Sequence, residues 1–298
     1  MSHLMAFEQL TKRYGSVQAL DAFTAEVSPG RITAFLGPNG SGKTTSMRLL
    51  LGLAEPTAGS ASIAGRPYRE LPHPSRVVGA VLDQGFHPNR SARNHLRIVA
   101  AAAAVNRGRI DVVLDLVGLT DAAARRVGGF SLGMRQRLAL ASALVGDPEI
   151  LVLDEPFNGL DPDGIHTMRQ FLRQFTDSGG TVFLSSHLLS EVAHSADDAI
   201  IINHGRLVSA GPVSALISSS RTVVVATPDA DLLAVALAHR GATITRHGHG
   251  EITVAEVNRE VIGRAALDVG AVILDMRAQG DDLETVFQAL IHPQAATS

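Results

Sequence analysis

Apolar and polar residues alternate over residues 5–10 and again over 19–27, the period-two pattern of half-buried strands, with the turn-prone Tyr14-Gly15-Ser16 between them. A small antiparallel β region is therefore predicted at the start of the chain. Residues 31–36 form a continuous apolar run that ends in a glycine-rich stretch, 37–42, after which 43–53 shows helical spacing. Residues 77–82 predict another buried strand. The alanine- and leucine-rich segments 91–105, 109–117 and 133–145 predict helices, so a helical insertion sits in mid-chain. Beyond it, the apolar runs 150–153 and 181–184 flank a helical pattern over 162–176, and this βαβ order favours a parallel sheet.

The texture changes at Ser218-Ser219-Ser220, which reads as a linker. Shorter elements follow: strands at 222–226, 242–246, 251–254 and 271–276, and helices at 230–239, 258–268 and 281–291. The pattern thus divides the chain into a larger α/β domain, 4–217, and a small α+β domain, 221–298. The last helix places Leu283, Val286, Phe287 and Leu290 on one face.

The length of 298 residues suits two domains, and 45% apolar with 18% charged residues excludes disorder as the main state. A net charge of -3 gives no global positive field for nucleic acid or an anionic membrane. The absence of cysteine removes disulfides, thiolate metal sites and thiol nucleophiles together, and fits a reducing compartment. No stretch approaches the ~18–20 apolar residues of a membrane-spanning helix, and the first ten residues lack the pattern of a secretory signal. His247-Gly248-His249 has metal-ligand spacing but no evident third ligand, and reads as a hairpin tip.

The strongest chemical signal is Gly37-Pro38-Asn39-Gly40-Ser41-Gly42-Lys43-Thr44-Thr45, a phosphate-loop pattern in its required strand-to-helix setting. Glycines let main-chain N–H groups face phosphate oxygens, and the following helix adds its positive end. Lys43 would set a cation against the β and γ phosphates. The Thr44 hydroxyl would ligate Mg²⁺, a hard ion that prefers oxygen. The second signal is Asp154-Glu155, delivered at the carboxyl end of the strand 150–153, where open α/β sheets bind ligands. Asp154 can hold the metal, and Glu155 can orient or deprotonate an attacking water.

With these motifs the chain resembles the ATP-binding subunit of an ATP-binding cassette (ABC) transporter over residues 4–217. Phe130-Ser131-Leu132-Gly133-Met134-Arg135-Gln136-Arg137 resembles the ABC signature, with Leu132 and Met134 standing where glycine and glutamine are usual. That form is similar to drug-export and ABC-2 type subunits. The resemblance implies a P-loop ABC cassette with a parallel core sheet, an antiparallel β subdomain and a helical subdomain at about 91–145. It further implies that Ser131 and Gly133 touch the γ-phosphate bound by an opposite subunit, that Tyr14 stacks on adenine, and that Asp161 belongs to the loop coupling two subunits. His187 corresponds to the switch histidine. The glutamine linking metal, water and permease falls on Gln84, with Asp83 as its rival when counted from Gly79. The tail from Asp282 resembles the end of the regulatory extension on drug-export subunits.

The resemblance implies ATP and Mg²⁺ as ligands and a homodimer or paralogue heterodimer. It also implies a separate membrane permease and a place at the cytoplasmic face of the cell membrane, with no direct nucleic acid and no span of its own. ATP hydrolysis would then power export. A soluble ABC-type ATPase acting on ribosomes or DNA is the alternative, but neither a second cassette nor a long coiled-coil insertion appears. A phosphate-loop kinase or GTPase leaves the signature and His187 unexplained.

Overall fold

The computed structural model describes residues 4–82, 85–218, 222–247, 250–255, 257–279 and 283–291. They form two compact units, divided between Gly211 and Pro212. In the first, β1 (Met5–Tyr14) and β2 (Val17–Val27) form an antiparallel hairpin from Met5 opposite Val27 to Tyr14 opposite Val17. β3 (Ile32–Leu36) leads into α1 (Lys43–Leu50), and β4 (Ala58–Ile63) pairs with the other edge of β1. After the single-turn α2 (Pro74–Val77) comes β5 (Val78–Val81). Helices α3 (Ala92–Ala102), α4 (Arg109–Leu116) and α5 (Leu132–Leu144) make the insertion. The order closes with β6 (Ile150–Leu153), α6 (Pro162–Asp177), β7 (Thr181–Ser186), α7 (Leu189–Ser195), β8 (Asp198–Asn203) and β9 (Arg206–Pro212).

Six of these strands build one sheet in the order β5-β6-β7-β3-β8-β9, with every pair from β5 to β8 parallel. Parallel strands bring their carboxyl ends to one edge of the sheet, so the residues after β3, β6 and β7 converge there. β1, β2 and β4 form a separate antiparallel sheet. Four of the ten phenylalanines join the two sheets: Phe7 and Phe23 meet at 5.3 Å between ring centroids, Phe23 and Phe35 at 5.6 Å, Phe35 and Phe183 at 5.3 Å, and Phe7 and Phe183 at 5.9 Å. All four are fully buried. Each such pair adds about 0.5–1.5 kcal/mol beyond its buried area, which holds the hairpin bearing Tyr14 against β3 and β7.

The second unit begins with α8 (Val213–Ser218), followed by β10 (Thr222–Ala226), α9 (Ala230–Ala238), β11 (Thr243–His247), β12 (Glu251–Ala255), α10 (Arg259–Val269), β13 (Asp275–Gln279) and α11 (Leu283–Ile291). Its strands order β11-β12-β10-β13, all antiparallel, in the βαββαβ connectivity of a split β-α-β fold. Val223, Val225, Ile252 and Val254 pack against Leu233, Leu237 and Ile262 of α9 and α10. α11 buries Leu283 and Val286 and exposes Glu284 and Gln288, in keeping with its apolar spacing. The division precedes the serine run because α8 packs against α11 and so goes with the second unit.

One expectation needs correction, and three strands were not foreseen. The apolar run 271–276 is not the last strand: β13 starts at Asp275. The Val272 N–H donates to Asp229 Oδ2 and its carbonyl accepts from Thr227 Oγ1, while Ala271 and Ile273 pack on the core, so side-chain anchoring replaces ladder pairing there. β4 was invisible to hydrophobic alternation because its sequence, AGSASI, is polar and small, and it forms only by pairing with β1. Beyond the four strands expected at 31–36, 77–82, 150–153 and 181–184, β8 joins the sheet parallel to β3, and β9 forms its edge.

Candidate functional site

The loop between β3 and α1 closes over a cavity of about 230 Å³ lined by Ala19, Pro38, Asn39, Gly40, Ser41, Gly42, Lys43, Thr44, Thr45, Asp154 and Glu155. Gly42 holds φ 113°, and a Cβ there would lie 2.7 Å from the Ala19 carbonyl oxygen, so only glycine lets the loop approach β2 this closely. Lys43 folds back and donates to the carbonyls of Gly37 at 2.6 Å and Pro38 at 3.3 Å. Burial lowers its pKa, and the carboxylates of Glu155 and Asp154 partly oppose that shift. The result is a desolvated ammonium beneath a loop of main-chain N–H groups, a setting built to receive an anion.

Asp154 and Glu155 leave the end of β6 into this cavity. The Thr44 hydroxyl donates to Asp154 Oδ2 at 2.7 Å, and the Ser185 hydroxyl donates to Asp154 Oδ1. Hydroxyl and carboxylate oxygens side by side are the donor set a hard divalent cation takes. Among the described residues no group of three or more His, Cys, Asp or Glu could hold a metal, so Thr44 and Asp154 would supply only part of such a cation's ligands. Glu155 adopts φ 51°, a left-handed backbone that costs an L-residue about 1–2 kcal/mol. Its N–H donates to Ser185 Oγ at 2.9 Å, which holds the turn, and its Oε2 lies 2.6 Å from His187 Nδ1 and accepts from the His187 N–H at 3.3 Å. Strain of this kind persists where the surroundings over-determine it, and here it aims one carboxylate away from the other.

Ser185 was not among the residues that the sequence singled out. The register pairs Leu153 with Leu184, so Ser185 falls beside Asp154 across the sheet. A serine directly after the apolar run 181–184 was the available signal, and the structure shows its hydroxyl fully buried.

Tyr14 ends β1 half-exposed, directly before the Gly15-Ser16 turn from which β2 leads to Ala19 of the cavity. The Lys12 ammonium sits 4.9 Å from its ring centroid and also donates to the Glu55 carbonyl. Gln84 and its rival Asp83 lie outside the described residues, as do His249 and Asp282 of the C-terminal unit. His247 is accounted for otherwise, its Nε2 lying 2.8 Å from Thr253 Oγ1.

Ser131, Gly133 and Asp161 are brought together, but not with the phosphate loop. They line a second cavity of about 700 Å³, which shares no residue with the first. Ser131 caps α5, its Oγ accepting from the Met134 N–H at 3.2 Å, and Asp161 caps α6, its Oδ1 accepting from the Gly164 N–H at 3.0 Å. The amino end of α5 therefore presents free N–H groups and a partial positive charge to the surface.

Residues 20–158 match the family model described as "ABC transporter", and residues 221–284 match a "Domain of unknown function (DUF8746)". The chain is 41% identical over 225 residues to the bacitracin transport ATP-binding protein BcrA of Bacillus licheniformis, covering 74% of each. It is 38% identical over 208 residues to the lantibiotic transport ATP-binding protein SrtF of Streptococcus pyogenes, covering 69% of this chain and 89% of that one. The solved structure of an ATP-binding subunit of an ABC transporter superposes with TM-score 0.66 at 26% identity, covering 72% of this chain and 92% of that one. A dimeric bacterial ABC transporter cassette shares the fold, with TM-score 0.65 at 22% identity over 70% of this chain and 98% of that one.

Proposed function

The chain belongs to the ABC transporter family as an ATP-binding subunit that hydrolyses ATP, and from that premise we propose that two copies, or this chain and a paralogue, close around two ATP molecules to drive export through a separate permease. The observation that carries this reading is the split site. The phosphate loop with its carboxylates, and the capped turn of Ser131 and Gly133, occupy separate cavities of one chain. Each is half of a nucleotide site that a second chain completes.

In the closed pair, the loop from Gly37 to Thr45 wraps the phosphates, Lys43 turns from the Gly37 and Pro38 carbonyls to the β and γ oxygens, and Tyr14 stacks on adenine. Ser131, Gly133 and the end of α5 face the γ-phosphate of the other chain's ATP. Thr44 and Asp154, with Gln84, would hold Mg²⁺, which when bound neutralises charge building on the phosphate oxygens. Glu155 accepts a proton from the attacking water, and His187, already 2.6 Å from that carboxylate, keeps it oriented and reaches the γ-phosphate. Asp161 lies on the loop that meets the opposite subunit. ATP favours the closed pair by contacts that ADP lacks, so hydrolysis reopens it.

Stacking of a base on an aromatic ring is worth about 1–3 kcal/mol. Tyr14→Ala should therefore weaken ATP binding by about tenfold while Tyr14→Phe keeps most of it, measured by calorimetric titration. Equal affinity in Tyr14→Ala and the parent chain would remove Tyr14 from the base site.

Among the described residues no helix is long and apolar enough to cross a membrane. A shallow groove of His87, Asn89, Arg90, Asn94, Arg97 and Ile98, in and beside α3, offers the permease a basic, partly apolar seat at the cytoplasmic face of the membrane. Relatives named as Nod factor export ATP-binding proteins support export as the direction, and those named for bacitracin and lantibiotic transport support an antibiotic as the cargo class. The test is co-purification from detergent extract: the parent chain should retain one integral membrane protein, and the charge-reversed double variant Arg90→Glu with Arg97→Glu should lose it while keeping its ATP affinity. Recovery of a ribosome or DNA instead, or undiminished capture by the double variant, would contradict the assignment.

A further inference from the structure

Leu132 stands at the first position of α5 and is about half exposed, although it is a large apolar side chain. Its position has a partner. Gly159 holds φ +74°, and a Cβ added there would lie 2.0 Å from Leu132 Cδ2 and 2.5 Å from its Cγ. The leucine therefore occupies the space that any other residue at 159 would need. Gly133 lies beside the same loop, where a Cβ would stand in ordinary contact, 3.5 Å from Leu160 Cδ2 and 3.8 Å from the Gly159 carbonyl oxygen. The capped turn thus meets the loop that follows β6 chiefly through Leu132 and Gly159.

That loop is stiff. The Asn158 N–H donates to the Glu155 carbonyl at 3.1 Å and the Leu160 N–H to the Phe157 carbonyl at 3.3 Å, while Phe157 is buried as an anchor. Two hydrogen-bonded turns therefore connect Gly159 to the backbone of Glu155, which holds a left-handed conformation.

We propose that Leu132 and Gly159 form a clasp that sets the position of Glu155 according to what the turn of Ser131 and Gly133 touches. Each chain's hydrolytic carboxylate then responds to the ATP held by its partner. Leu132 is a positioning residue: it acts through Glu155 and touches no reacting atom. The inference rests on the reading of a closed pair with two shared ATP molecules and adds to it a route by which one site reports to the other.

The experiment is a double-mutant cycle on the full chain, following ATP hydrolysis at steady state. Gly159→Ala drives a methyl group into Leu132 and should lower kcat about tenfold with KM for ATP changed less than about twofold. Leu132→Gly vacates the space, so the double variant should recover to within about threefold of Leu132→Gly alone. If the damage came only from placing alanine at positive φ, removing Leu132 would not relieve it, and a double variant as slow as Gly159→Ala overturns the clasp. Where Gly159→Ala proves unfolded by circular dichroism, Leu132→Ala decides: it should reduce the Hill coefficient for ATP with little change in affinity, and an undiminished coefficient overturns the clasp. Absence of an ATP-dependent dimer in the parent chain would instead bring down the shared-site reading, separately from either result.

Discussion

Glu155→Gln is expected to lower kcat for ATP hydrolysis by about two to four orders of magnitude while ATP binding survives, because a positioned general base contributes about that much and an amide cannot take the proton. The geometry sharpens the expectation. Glu155 is not part of the loop that wraps the phosphates, and its N–H bond to Ser185 does not depend on the side chain, so the substitution leaves the left-handed turn in place. Replacement also removes a negative charge beside the site of the γ-phosphate, which favours the closed pair. Size-exclusion chromatography with ATP should therefore show a persistent dimer in Glu155→Gln and only a transient one in the parent chain. Monomer alone in the variant, or hydrolysis at the parent rate, would move the base elsewhere.

Lys43→Ala is expected to weaken ATP binding by at least about tenfold, the order set by losing charge-assisted hydrogen bonds worth about 1.5–3 kcal/mol. The fold should change far less. Burial already disfavours the charged ammonium, as its lowered pKa shows, so the free protein loses two hydrogen bonds to the Gly37 and Pro38 carbonyls but also sheds a desolvated charge. Melting temperatures without nucleotide should lie within about 5 °C of each other, whereas the rise on adding ATP should vanish in the variant.

The sign with pH follows from the same residue. A lysine with a depressed folded pKa binds fewer protons than its unfolded counterpart between the two values, so its contribution to stability improves as pH rises through that window. ATP affinity should move the opposite way, falling as pH rises through the lowered pKa and the cation is lost. That alkaline loss should be absent in Lys43→Ala. An unchanged ATP titration in the variant would refute the phosphate-loop assignment.

Transport relatives separate the export reading from the alternative of a soluble ATPase on ribosomes or DNA. Both readings share the same engine, and the motifs alone could not divide them. What the relatives add is a partner class, since their names place them in antibiotic transport. The C-terminal unit matches a domain family without a known function, and its βαββαβ topology is a property of the backbone order, already half-visible in the alternation of short strands and helices.

Much of the architecture was legible because it is local. A glycine-rich turn between an apolar run and a helix must expose its N–H groups, and an apolar strand that ends in two acids must present them where the chain leaves the sheet. Ser131 and Asp161 cap their helices through hydrogen bonds that span only three residues, so their conformation too is written in adjacent positions. The polar strand β4 and the anchored segment 271–274 were not legible, because one depends on a neighbour 52 residues away, with Glu8 opposite Ser60, and the other on the side chains of Thr227 and Asp229, 45 and 43 residues before Val272.

By itself the sequence determined the chemistry available to this protein: which residues can cradle phosphate, hold a cation and take a proton. Only the tertiary structure decided how those groups work together. The parallel register set Ser185 between Asp154 and the Glu155 N–H, chain reversal laid Leu132 over Gly159, and the two halves of the nucleotide site came to rest in separate cavities. The physical reason is range, since hydrogen-bonded turns and hydrophobic periods act over a few residues, whereas these contacts exist only once distant strands have paired and their side chains compete for one space.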